Sequence, residues 1–148
     1  MSYAQLDHIA DSVNIVLAIA VIAGALWLHR AAAWPFLLRA IVATLVVQQS
    51  AKLCQKIGWL GPHFPSTHFA FALCLATFLA LLGRRLVPVA IAVIVFYGAL
   101  MLHQHYHTPL EMVGAFYALP LAYFAGTWKR VGQRTSVDAE ARAAPRQN

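Results

Sequence analysis

Two short runs of this chain carry side chains suited to acid–base and nucleophilic chemistry. The first is Phe64-Pro65-Ser66-Thr67-His68-Phe69. Pro65 keeps the residues before it out of a helix, and Ser66 is a good N-cap, so a helix should open here with the amides of Thr67 and His68 facing outward. Free amides at a helix N-terminus favour an anion. His68, in that first turn, is placed to give a proton to the leaving group of a bound anion. The second run is His107-Thr108-Pro109-Leu110-Glu111, followed by Gly114. Thr108 and Glu111 have capping-box spacing with Pro109 at the first helical position, and that alone accounts for Glu111. His107 and Glu111 are also four residues apart. At that distance the carboxylate reaches the imidazole, fixes its tautomer and raises its basicity.

These residues need elements that hold them together, and the composition says which kind. Of 148 residues, 61% are hydrophobic and 11% charged. The mean hydropathy is +0.65. A soluble domain of this size cannot hide so much apolar surface. The expected fold is therefore all-α: a polytopic transmembrane helical bundle of about five spans, since helices satisfy their own backbone groups in lipid. Five apolar stretches fit this, at about Ser12 to Leu28, Pro35 to Ile57, Ser66 to Leu82, Leu86 to Leu102 and Thr108 to Trp128. Pro35 is expected at the first position of its helix. Residues 1–128 form one transmembrane domain, and 129–148, polar, basic and alanine-rich, a disordered cytoplasmic tail. The leader before the first stretch has Asp7 and Asp11 but no Lys or Arg, which argues for an uncleaved helix over a signal peptide. Cys54 and Cys74 lie within apolar stretches and read as buried thiols.

The formal net charge of +6 is distributed by side. With five spans, Arg30, Arg39, Arg84, Arg85, Lys129, Arg130, Arg134, Arg142 and Arg146 share one face, leaving only Lys52 and Lys56 opposite. The positive-inside rule then puts the N-terminus outside and the C-terminus in the cytoplasm. No nucleic acid is needed to explain the basic residues. The same topology leaves only His29 inside and gathers His8, His63, His68, His103, His105 and His107 at the outer face, with Gln48, Gln49 and Ser50 near them. Ionisable groups at membrane depth usually face a protein interior or a watery cavity.

Pro65-Ser66-Thr67-His68 resembles the Pro-Ser-Gly-His motif of the type 2 phosphatidic acid phosphatase family. His107-x-Pro109-x-Glu111-x-x-Gly114, at the outer start of the helix two spans later, resembles that family's closing motif, Ser-Arg-x5-His-x3-Asp. Lys52 resembles the lysine of its opening motif, Lys-x6-Arg-Pro. The resemblance covers about Lys52 to Tyr117, and members usually have six spans. It implies hydrolysis of a lipid phosphate or diphosphate, of phosphatidate or polyprenyl type, through a phosphohistidine and without a metal or other cofactor. His107 would be the nucleophile, Glu111 its orienting carboxylate and His68 the general acid. Ser66, Thr67 and Lys52 would hold phosphate oxygens. The implied setting is a bacterial-type inner (plasma) membrane with the site facing the periplasm or exterior, in contact with membrane lipids and open to homo-oligomerisation.

The chain departs from those motifs where charge matters. The closing arginine falls on Met101 and its serine on Leu100, and the seventh residue after Lys52 is Trp59. Thr67 stands for the glycine and Glu111 for the aspartate. Phosphoryl transfer depends on positive charge around the transferring oxygens; Lys56, His63, His103 and His105 are the cations offered instead. Two other readings follow. His63, His68, His103, His105, His107 and Glu111 are ligand types suited to zinc, iron or copper. Alternatively, the chain is an inactive lipid-binding relative or a subunit of a larger assembly.

Overall fold

The computed structural model describes residues 3–58, 60–105 and 107–128. The tail expected over 129–148 lies outside the described residues. Those described form helices: α1 (Tyr3–His29), α2 (Ala33–Ile57), α3 (Thr67–Leu82), α4 (Val87–His103) and α5 (Pro109–Gly114), which passes through a 3-10 turn into α6 over 118–128. No strand occurs among them. Turns of three residues, Arg30–Ala32 and Arg84–Leu86, reverse the chain after α1 and α3. Gly58, in the left-handed conformation at φ 69°, ends α2 and bonds back to the carbonyls of Cys54 and Gln55.

α3 is the centre of the bundle and touches α1, α2 and α4. Its composition explains this. Ala70, Ala72, Cys74 and Ala76 are small and fully or nearly buried, so neighbouring backbones approach closely, while Phe69, Leu73, Phe78 and Leu79 fill the spaces between them. The outward faces of the surrounding helices are apolar. Trp27 is 83% exposed and Trp34 72%, with Ile41, Val95, Phe96 and Phe124 also open. Among the described residues, Asp11–Ile57 and Arg84–His103 are helical stretches long and apolar enough to cross a membrane. The first of these contains α1 from Asp11 onward and all of α2.

α3 begins at Thr67 with Ser66 as its cap, as expected, and its 16 residues fall just under the roughly 17 that a span needs. One sequence expectation shifts. α2 begins at Ala33, so Pro35 sits third in the helix instead of first. The ring is still tolerated, because the first four amides of a helix have no intrahelical partner.

Candidate active site

The site grows from two helix starts that meet. At α3, Ser66 is completely buried and its Oγ accepts from the Phe69 amide at 3.3 Å. At α5, both halves of the capping box form: the Glu111 amide donates to Thr108 Oγ1 at 3.3 Å, and the Thr108 amide donates to Glu111 Oε2 at 3.1 Å. The Ser66 amide then donates to the Glu111 carbonyl at 3.0 Å, fastening one start to the other. Phe64 closes the junction. Its ring packs against Gly114 so tightly that an added Cβ would lie 2.3 Å from Phe64 Cε2. The Gln55 side-chain amide donates to the Pro65 carbonyl at 2.8 Å and ties the loop to α2.

His107 sits at this junction. Its Nδ1 lies 2.8 Å from Glu111 Oε2. The carboxylate accepts, so Nδ1 carries the proton and the lone pair of the neutral ring is on Nε2. Burial pushes the imidazole below its usual 6.5; Glu111 pulls it upward, and His68 and His63 lower it further. A neutral imidazole with its lone pair on Nε2 is the form that attacks an electrophile.

Beside the α3 start is a polar cavity of about 570 Å³ between α1, α2 and α3. Lys52, Thr67 and His68 line it, together with Asp11, Asn14, Gln48 and Gln55. His68 Nε2 is 3.4 Å from Asp11 Oδ1, and the Asn14 side chain donates to the His68 carbonyl at 3.4 Å. Asn14 is 7% exposed, and its Oδ1 has no hydrogen-bond partner among the described residues. The structure therefore places Lys52, Thr67 and His68 on one cavity, and pairs His107 with Glu111 outside its lining, at the α5 start. Ser66 is the link. Lys56 and His103 stand apart, exposed at the ends of α2 and α4.

No known family model, curated protein or solved structure matches this chain.

Met101 is 2% exposed and packed in the core. Among the described residues, no three His, Cys, Asp or Glu side chains converge as a metal-ligand set. His63, His103 and His105 are exposed, His105 in a left-handed backbone conformation at φ 53°. Sequence reasoning did not single out Asp11 and Asn14 for the site. Their signal was present: two polar residues three apart on one helix face, breaking an apolar stretch at the end where the histidines gather.

Proposed function

We propose that the chain is a membrane-embedded phosphatase that hydrolyses a lipid phosphate or diphosphate through a phosphohistidine on His107. One observation carries this reading: His107 is oriented by Glu111 at 2.8 Å, at a point where two helix starts are bonded together. In the first step Nε2 attacks phosphorus, the bond to the lipid oxygen breaks, and His68 protonates that oxygen. Water then gives a proton to the deprotonated His68 as it attacks the phosphohistidine, the N–P bond breaks, and phosphate leaves with the imidazole and the acid both restored. Lys52 and the first amides of α3 supply positive charge to the phosphate oxygens. The bundle crosses the membrane about five times, as the exposed apolar faces of α1, α2, α4 and α6 favour. The N-terminus is outside, the C-terminus is cytoplasmic, and the site opens to the periplasm or exterior of a bacterial-type inner membrane.

The test is phosphate release from lipid phosphates by the purified chain with a chelator present. His107→Ala should reduce it to background. Activity that persists in the variant removes His107 as the nucleophile.

The buried Met101, in place of a cation, favours a second reading in which the site binds lipid phosphate without turning it over. Saturable binding by the unaltered chain with no release of phosphate is its signature.

A further inference from the structure

An apolar cavity of about 530 Å³ lies next to the polar one, lined by α1, α2 and α3, and Phe71 lines both. The lining runs in register along each helix. On α1, Asp11 and Asn14 give way to Ala18 and Ile22; on α2, Lys52 and Gln48 give way to Leu45 and Ile41. These are i, i+3 and i+4 steps, so each helix presents one continuous stripe that changes from polar to apolar along its length. The change in character occurs at the same level on both helices.

We infer that the α1–α2 groove is a binding slot for a single lipid phosphate molecule, with its head in the polar half and its hydrocarbon tail in the apolar half. Three observations commit the occupant. Lys52 and His68 give the upper half its affinity for an anion. Asn14 Oδ1, buried and without a partner among the described residues, accepts a hydrogen from a hydroxyl beside the phosphate or on it. Asp11 holds His68 on the side of the α3 start. Below, the groove offers a surface for a chain and nothing for a second head group. The slot rests on the phosphatase reading only for what happens to the head, since His107 is not among the residues that line it.

The experiment reads binding and not turnover, so the groove stands or falls separately from the chemistry of His107. The full chain in lipid nanodiscs is loaded with a long-chain monoalkyl phosphate carrying a photoactivatable diazirine in its tail. Cross-links should concentrate on Ile22, Ile41 and Leu45. Ile41→Trp, at an exposed groove position, should weaken binding of this probe by roughly tenfold or more. It should leave binding of a short-chain alkyl phosphate unchanged. Leu121→Trp, exposed on α6, should alter neither. Cross-links spread evenly over α4 and α6 as well as α1 and α2, or equal weakening by the two tryptophan variants, would overturn the slot.

Discussion

At the scale of single residues, His107 is governed by two opposed effects, and their balance is testable. Burial disfavours the charged ring, while the Glu111 hydrogen bond and charge favour it, and burial prevails. In the proposed mechanism the nucleophile is the neutral ring, so activity should persist as pH falls through the usual 6.5 and decline only below it. The same shift bears on stability. Between the lowered folded pKa and the unfolded value near 6.5, the unfolded chain binds more protons, so stability falls as pH drops through that window. Glu111→Gln removes both favourable influences of the carboxylate. The acid limb of the pH–rate profile should then move to still lower pH, while the plateau rate drops by about 10²-fold as the ring loses its orientation. An acid limb that moves upward would contradict the assigned balance. The His107–Glu111 pair was legible in the sequence because both members lie within one turn. The Asp11–His68 contact was not, because its partners are 57 positions apart and meet only once α1 has packed on α3.

At the scale of elements, the junction of α3 and α5 does what neither helix start does alone. The caps themselves are local: Ser66, Thr108 and Glu111 satisfy amides three residues along, and their spacing announces it in the sequence. The bond from the Ser66 amide to the Glu111 carbonyl is not local, and no spacing rule foretells it. The closure by Phe64 on Gly114 was equally hidden, since a glycine in a motif does not say which ring it admits. This gives a direct test. Gly114→Ala would force its Cβ into the Phe64 ring, costing about 1–3 kcal/mol as an overpacking change. Thermal unfolding in detergent should register that loss. If the clash is the cause, Phe64→Ala combined with Gly114→Ala should be less destabilised than the sum of the two single changes. Strict additivity would show that the ring and the glycine do not act as a pair. The same junction explains the shortness of α3: its N-terminus is spent on capping and contact, and its 16 residues are surrounded by longer helices that meet the apolar environment in their place.

At the scale of the whole molecule, the bundle turns the usual arrangement outward. Alanines, leucines and the rings of Phe69, Phe78 and Tyr97 fill the centre, while tryptophans and large aliphatic side chains stand on the outer faces of α1, α2 and α4. An exposed apolar surface of this extent marks contact with lipid or with other protein. Hydropathy made the helices legible because each is long relative to its connections. The number that cross was less so, since length and composition alone qualify two stretches, one of them holding the α1–α2 pair. Side-specific labelling decides between topologies. With Cys54 and Cys74 replaced by Ala, His63→Cys in the loop before α3 should react with a membrane-impermeant maleimide applied to intact cells. Arg85→Cys, in the turn after α3, should react only once the membrane is opened. If α3 spans, these two positions lie in different compartments. Labelling of both from the same side would mean that α3 does not cross, and the basic and histidine-bearing ends of the bundle would then share one compartment. The inverse pattern, with Arg85→Cys alone labelled in intact cells, would keep the spans but turn the proposed site toward the cytoplasm, where its substrate would be drawn from the inner leaflet.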